Sequence, residues 1–218
     1  MAIALDGHAT GGAASATSTT VTLTTTSTND IIVVQAVGVN AGAVTVSSVS
    51  DVAGLIWAKR KALVFNTNDT LEVWWAYSPS ALSGDVITVT MSAALTTIAL
   101  NAFGINGANT ATPWDANGAL PATNTGSNST PTVTSVSTTF APTILLGFSA
   151  ELTNLTETAG AAYTLIDSNT VGAVVTAANQ YITASSVQSS VTQAFGTTTT
   201  ANWSMIADAI QGQATIFR

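Results

Sequence analysis

The chain repeats one pattern twice along its length. Residues 20–34, TVTLTTTSTNDIIVV, are echoed by residues 132–146, TVTSVSTTFAPTILL, and residues 96–105, TTIALNAFGI, are echoed by residues 202–210, NWSMIADAI. A period of roughly a hundred residues is too long for a solenoid unit and matches half of a large β-sandwich. The repeat therefore predicts one architecture built from two related halves.

Short runs rich in β-branched residues alternate with turn residues through both halves. Residues 86–91, VITVTM, alternate in polarity, as expected for a strand with one buried face. We predict strands at 21–26, 31–39, 44–49, 56–64, 70–77, 86–92 and 98–105, and again at 143–150, 163–167, 171–181, 187–195 and 203–210. This pattern indicates an all-β fold, an antiparallel β-sandwich of jelly-roll type, with a concanavalin-type sandwich as the nearest alternative.

The spacing of the strands predicts a single domain. Residues 1–18 are rich in Gly, Ala, Ser and Thr, which is typical of a flexible arm or an edge strand. Residues 19–218 form one β-sandwich domain, with halves 19–105 and 132–210. Residues 106–131 contain many turn residues and little alternation, so we predict a long loop between the halves.

Charge and composition exclude several classes of partner. Four Lys and Arg against eleven Asp and Glu give a net charge of −7, so nucleic acid and anionic membranes would be repelled. Only 7% of residues are charged, and cysteine is absent, which removes disulfides and thiolate chemistry. No apolar run is long enough to span a bilayer, and no secretory signal is visible at the N-terminus.

Catalytic motifs are missing from the sequence. His8 is the only histidine, in a Gly- and Ala-rich stretch, and neither a nucleophile elbow nor a phosphate-binding loop is present. We therefore expect a protein that is not an enzyme and needs no cofactor. Glu151 and Glu157 flank a turn-rich stretch, which predicts a solvated loop rather than a catalytic dyad. Residues 66–69 and 167–169 could offer oxygens to calcium, but Asn and Asp favour such turns for backbone reasons alone.

The aromatic residues suggest a different possibility. Alternation in residues 71–77, LEVWWAY, places Glu72 and Trp74 on one face of a strand. An exposed Trp beside a carboxylate would suit a sugar ring and its hydroxyls. The alternative is that Trp74 and Trp75 fill the core and a subunit contact while Glu72 lies on the solvated face.

Three motifs carry a resemblance to a known class of modules. Residues 48–54 form a Ser-x-x-Asp-x-x-Gly turn before Trp57, residues 75–77 end a strand in Trp-x-Tyr, and a Pro-Trp-Asp follows at residues 113–115. The chain resembles the Thr- and Ser-rich jelly-roll modules of bacterial secreted proteins and of virion surface proteins of tailed bacteriophages. The resemblance implies display, adhesion, capsid decoration or carbohydrate contact, and it implies no catalytic residues.

Two functions follow as expectations. The first is a non-enzymatic structural or interaction protein of a virion surface, a capsid decoration or a head or tail appendage protein, located there or extracellularly. We expect it to form a homo-oligomer and to bind other virion or cell-surface proteins. The alternative is a carbohydrate-binding module or lectin-like adhesin that binds glycans through exposed aromatic residues. Residues 59–61, 74–75 and 113–115 have no visible counterpart in the second half. The predicted binding-surface residues are Lys59, Arg60, Lys61, Glu72, Trp74, Trp114, Asp115 and Tyr181.

Overall fold

The computed structural model describes residues 2–39, 44–67 and 69–213. Within them the chain forms fourteen β-strands and no helix. The strands are β1 Ala4–Leu23, β2 Asp30–Val39, β3 Val46–Ser50, β4 Ala58–Phe65, β5 Asp69–Ser78, β6 Asp85–Asn106, β7 Ala122–Asn128, β8 Thr132–Val136, β9 Thr143–Glu151, β10 Glu157–Ala159, β11 Thr164–Val171, β12 Val175–Ala184, β13 Val191–Thr197 and β14 Ala201–Gln211. All pairings between them are antiparallel. The predicted all-β sandwich is confirmed. No helix long and apolar enough to cross a membrane occurs in these ranges.

The duplication is visible in the order of the strands. The first half has a large sheet in the order β1-β6-β2-β5-β4, and the second half has β7-β14-β9-β12-β11. β3 pairs with the beginning of β6, while β2 pairs with its end. In the second half two strands, β13 and β14, take the place of β6. β13 lies between β10 and β8 in a small sheet, and β14 lies in the large sheet. Each half therefore repeats one topology, which is compatible with a jelly roll.

Three apolar clusters show how the layers stack. Alternate residues of β2 divide between two clusters: Ile31, Val33 and Val37 join the central one, and Ile32 and Val34 join that of the first half. On β9 the even-numbered positions 144–150 join the central cluster, while Leu145 joins the cluster of the second half. The large sheets of the two halves thus pack face to face, and each also packs against the smaller outer layer of its own half. Burial on both faces explains why β2 and β9 are nearly continuous apolar runs.

Some predicted boundaries are wrong. The stretch 106–131, predicted as a loop, contains β7, which pairs with β14 as an edge strand of the second large sheet. The separate strands predicted at 86–92 and 98–105 are one long strand, β6. Of residues 1–18, predicted as an arm or an edge strand, residues 4–18 belong to β1, which runs along β6. A run of Thr, Ala and Gly gives a weak strand signal, and these strands depend on pairing with an apolar neighbour.

Strand register matches residues of one half with residues of the other. Ile105 pairs with Ile31 and Leu5, whereas Ile210 pairs with Ile144 and Trp114. Because residues 96–105 and 202–210 are the sequence echo, Leu5 corresponds to Trp114. The second half therefore begins well before residue 132, inside the predicted loop.

Candidate functional site

The basic triplet on β4 lies at a β-bulge. Lys59 pairs with Trp74 and Lys61 with Val73, so Arg60 is an extra residue with no partner opposite. A bulge re-aims the side chains around it. Lys59 consequently contacts groups inside the first half, and Arg60 contacts groups of the second half. The three basic residues therefore do not act as one patch.

Arg60 forms the centre of a cluster at the edge of the interface between the halves. Its guanidinium binds Asp208 of β14 through two hydrogen bonds, Nε to Oδ2 at 2.7 Å and Nη2 to Oδ1 at 3.1 Å. The same guanidinium lies 4.7 Å from the centre of the Trp114 ring. Trp75 meets that ring edge-on at 6.2 Å between centroids. We call Arg60, Trp75, Trp114 and Asp208 the Arg60 cluster.

Asp208 is buried, and its charge depends on Arg60. Burial raises the pKa of the Asp208 carboxyl, and the hydrogen bonds and positive charge of Arg60 offset only part of that effect. A bidentate guanidinium pair is the geometry that best holds a desolvated carboxylate. The cluster therefore contains an ion pair that joins the two halves, and Arg60 covers one face of the Trp114 ring.

Asp115 anchors a turn instead of facing solvent. Its carboxylate accepts hydrogen bonds from the amides of Thr139 and Phe140 and from the Thr139 hydroxyl, at 2.8–3.1 Å. The prediction of Asp115 as a surface residue is wrong, because a carboxylate with several amide and hydroxyl donors is buried as a structural anchor.

The same anchor occurs in the first half. Asp6 accepts hydrogen bonds from the amides of Thr26 and Ser27 and from the Thr26 hydroxyl, at 2.7–3.1 Å. Asp6 follows Leu5 as Asp115 follows Trp114. The Pro-Trp-Asp motif therefore has a counterpart, located in the first half, where Leu stands in place of Trp.

Glu72 and Trp74 form a second cluster, with Lys59, inside the first half. The Glu72 carboxylate binds Lys59 Nζ at 2.8 Å and accepts hydrogen bonds from the Val46 amide at 2.8 Å and the Trp74 indole at 3.0 Å. Lys59 Nζ also lies 5.1 Å from the centre of the Trp74 ring. Glu72 is fully buried. Its predicted place on a solvated or sugar-binding face is wrong, since Lys59 and the Val46 amide at the start of β3 cover the carboxylate and Lys59 neutralises the charge.

Tyr181 and Lys61 lie apart from both clusters. Tyr181 takes the position on β12 that Trp75 takes on β5, and it packs half-buried against the central cluster. Lys61, half-buried, makes no ion pair with any residue that the structure describes. The second half has a bulge at the place equivalent to that of β4, between Leu165 and Asp167. The basic triplet thus has a counterpart in position though not in charge.

Two buried glutamates were missed by sequence reasoning. Glu151 and Glu157 lie inside the second half and not in a solvated loop as predicted. The Ser149 hydroxyl donates a hydrogen bond to Glu157, while neither carboxylate oxygen of Glu151 has a partner among the described residues. Burial raises the pKa of both carboxyls, and the nearby charge of Glu151 raises the pKa of Glu157 further. The nearly continuous apolar run of residues 144–150 could have indicated that Glu151, the last residue of the same strand, is buried, but nothing in the sequence pairs it with Glu157.

His8 and the two predicted calcium loops have internal partners. His8 Nδ1 lies 2.9 Å from Asp167 Oδ1, which joins β1 to β11 across the halves. Asn66 Nδ2 donates to Asp69 Oδ2 at 3.1 Å, and the Asp167 amide donates to Asn179. No group of three or more His, Asp or Glu side chains able to hold a metal ion occurs among the described residues.

The surface of the molecule has few charges. Of the eleven Asp and Glu residues, all within the described ranges, nine are buried and two, Asp51 and Asp167, are half-buried. Of the basic residues, Lys59 and Arg60 are in the ion pairs above, and Arg218 lies outside the described residues. Surface residues of soluble proteins are ordinarily rich in charge. Here Thr, Ser, Asn and Ala take that place.

One open groove is lined by the loop before β4 and the loop after β5. It has a volume of about 380 Å³ and is bounded by residues 53–56 and 77–82. Ile56 and Val52 of the first loop, at 87% and 80%, are more exposed than the other large apolar residues that the structure describes. Tyr77 lines the groove, and its hydroxyl donates to Asn29 Oδ1 at 2.6 Å.

Comparisons with protein families, with curated proteins and with solved structures found no match to this chain.

Proposed function

We propose that this chain is a non-enzymatic structural or interaction protein that self-associates and becomes part of a larger particle. A virion surface is the first expectation, with the chain as a capsid decoration or a head or tail appendage protein. The observation that carries the proposal is the nearly uncharged surface, with every carboxylate residue buried or half-buried. The proposal extends to other virion or cell-surface proteins as partners.

The physical link between that surface and assembly is desolvation. Charged groups that enter an interface lose hydration, which costs several kcal/mol per ion unless each is paired. Interface cores are depleted in charged residues for this reason. A hydroxyl- and amide-rich surface can be covered over wide areas with little such cost.

The interior also fits a structural role. Three apolar clusters connect four layers of strands, so the chain buries a large core without disulfides. The two buried glutamates that could resemble a catalytic pair, Glu151 and Glu157, are at most 2% exposed. A substrate in solution would not reach them without opening the second half.

The proposal predicts association in solution and a location on particles. Light scattering after size-exclusion chromatography should give a mass that is a multiple of the chain mass. Immunogold labelling, with antibodies raised against the purified chain, should mark particles released by the cells that produce it. A monomer in solution together with unlabelled particles would contradict the proposal.

Carbohydrate binding remains a second candidate, supported by Tyr77 in the groove beside Ser78 and Ser80. Of the aromatic residues predicted to stack on sugars, Trp74 and Trp114 have cations against their rings and Tyr181 packs half-buried against the central cluster, so we place the sugar in the groove. On a glycan array, this candidate expects binding that a Tyr77→Ala variant loses and a Trp114→Ala variant keeps. Absence of binding to any glycan would remove it.

A further inference from the structure

The segment that follows β9 lies over β12 inside the second half. We call residues 152–162 the strap; it contains β10, which pairs with β13 over three residues. Two of its side chains are buried, Leu155 and Glu157, and the others are half-buried or exposed. The surroundings of Leu155 and Glu157 therefore contribute strongly to whether the strap stays closed.

Glu157 places its carboxyl beside a second buried carboxyl. Its Oε1 accepts a hydrogen bond from the Ser149 hydroxyl, and its Oε2 has no partner among the described residues. Both oxygens of Glu151 also lack a partner there, and the two glutamate side chains lie within hydrogen-bonding reach of one another. Two carboxylates are both acceptors, whereas a protonated carboxyl can donate to a carboxylate. A proton is thus the group that would join these oxygens.

No cation faces the two glutamates from the described strands around them. The titratable side chains of β8, β11, β12, β13 and β14 are Asp167, Tyr181 and Asp208. Asp167 contacts His8, Asp208 contacts Arg60, and Tyr181 packs against the central cluster on the other face of the sheet. Tyr163, which packs in the same interior as the glutamates, is neutral, because burial raises its pKa to about 12.

The first half shows that the fold does not require acids at these places. By strand register, Gly38 on β2 occupies the position that Glu151 occupies on β9. Val46, buried at the start of β3, corresponds in strand order to Glu157 at the start of β10. A buried carboxylate without a counter-charge is costly, and such a group takes up a proton instead. The second half therefore depends on a proton at a place where the first half does not.

We propose that Glu151 and Glu157 share one proton, that this proton closes the strap, and that its loss opens the second half locally. With the proton in place, Glu157 Oε2 donates to Glu151. Without it, two like charges would lie together away from water, and outward movement of Glu157 would separate and hydrate them. β10 can make that movement because it has three residues at the edge of a small sheet, whereas β9 lies between β12 and β14.

The shared proton makes closure of the strap depend on pH. Burial raises the pKa of both carboxyls in the closed strap, whereas water would return both groups to their ordinary range in the open strap. A group whose pKa is raised in the closed state stabilises closure at low pH, and that contribution is lost as pH rises. From about pH 5 to about pH 8, the opening equilibrium constant should rise about tenfold per pH unit for each proton released.

Hydrogen exchange followed by mass spectrometry tests the strap directly. The Leu155 amide donates to Thr176 Oγ1 at 3.3 Å and the Gly160 amide donates to Gln180 Oε1 at 2.8 Å, so both amides report on closure. Their protection factors, corrected for the intrinsic exchange rate at each pH, should fall about tenfold per pH unit between pH 5 and pH 8.

Three variants identify the groups responsible. In a Glu151→Gln, Glu157→Gln variant two amides can hydrogen-bond each other without a titrating proton, so strap protection should not change with pH. Glu157→Gln alone imitates the protonated glutamate and should keep the strap closed at pH 8. Asp30→Asn is the matched control, because it removes a buried carboxyl of raised pKa from the first half. It should leave the pH dependence of the strap unchanged.

Several results would overturn the shared proton. One is strap protection that stays constant from pH 5 to pH 8, or that falls equally in the wild type and the double variant. Another is strap amides as well protected as those of β2 at pH 8, since the strap would then open only with the whole molecule. A third is closure at pH 8 that calcium produces and EDTA removes, which would replace the proton by a metal ion.

Discussion

Arg60 shows how one residue distinguishes two halves that otherwise share a topology. By strand register, Arg60 occupies the position in the first half that Ile166 occupies in the second. Asp208 likewise occupies the position in the second half that Phe103 occupies in the first. The end of the interface at Arg60 and Asp208 therefore has an ion pair. The equivalent end has two members of the apolar central cluster, Phe103 and Ile166. A buried ion pair is often no more stabilising than an apolar pair of similar volume, although removal of one partner is costly.

This comparison predicts the effect of substitutions at the pair. Arg60→Ile should lower the free energy of unfolding by about 3–5 kcal/mol, because Asp208 would remain buried without a counter-charge. Arg60→Ile with Asp208→Phe, which copies the related end, should recover most of that loss. Urea denaturation of the two variants and the wild type measures both effects. Equal destabilisation by the single and double substitutions would contradict the interpretation that an apolar pair can replace the ion pair.

At the scale of elements, the turn that leads into β2 in the first half and into β9 in the second is maintained by one aspartate per half. Asp6 and Asp115 each accept hydrogen bonds from two consecutive amides and a threonine hydroxyl of the turn, and Asp115 also accepts the Asn117 amide. These hydrogen bonds lower the pKa of the Asp6 carboxyl, although desolvation by burial opposes them. The carboxylate thus fixes the entry to β2 in one half and to β9 in the other.

Asp6→Ala and Asp115→Ala should each destabilise the fold by about 2–4 kcal/mol, since two or more amides lose a charged acceptor. Asp51→Ala, which removes a half-buried loop carboxylate, serves as the control and should cost less. Thermal unfolding followed by circular dichroism gives the comparison. Loss confined to one of the two anchors would show that the halves do not use the turn equivalently.

At the scale of the whole molecule, the central cluster joins the halves into one cooperative unit. Twenty buried residues from both large sheets belong to it, more than to either outer cluster. We expect urea unfolding measured by tryptophan fluorescence to coincide with unfolding measured by far-ultraviolet circular dichroism. Two separate transitions would show instead that each sandwich is stable without the other.

The buried carboxyls predict a dependence of stability on pH. Burial raises the pKa of Asp30 to about 6, with a further contribution from the nearby Asp6 charge, and burial also raises the pKa of Asp85, Asp167, Glu151 and Glu157. Above the pKa of the unfolded carboxyls, the folded chain therefore binds more protons than the unfolded chain, and stability falls as pH rises. The urea midpoint should be higher at pH 5 than at pH 8. The pKa shift of Asp6 has the opposite sign, so Asp6 loses its contribution to stability only at more acidic pH.

A variant with Asp30→Asn, Glu151→Gln and Glu157→Gln tests this assignment. The difference between its urea midpoints at pH 5 and pH 8 should be smaller than in the wild type, and an unchanged difference would contradict the assignment.

The sequence by itself determined the strand class, the duplication and the equivalence of residues 96–105 and 202–210, because alternation and β-branched content are local properties. It also indicated that the basic triplet has no basic counterpart in the second half, but it missed Asp6 as the counterpart of Asp115. Only the tertiary structure decided what those residues do. The bulge on β4 sends Lys59 and Arg60 to different faces. Glu72 is buried inside the first half against Lys59 and the Val46 amide, and Asp115 is buried against the turn that precedes β9. Partners from distant segments determine whether a charge is exposed, and neither charge nor spacing along the chain records those partners.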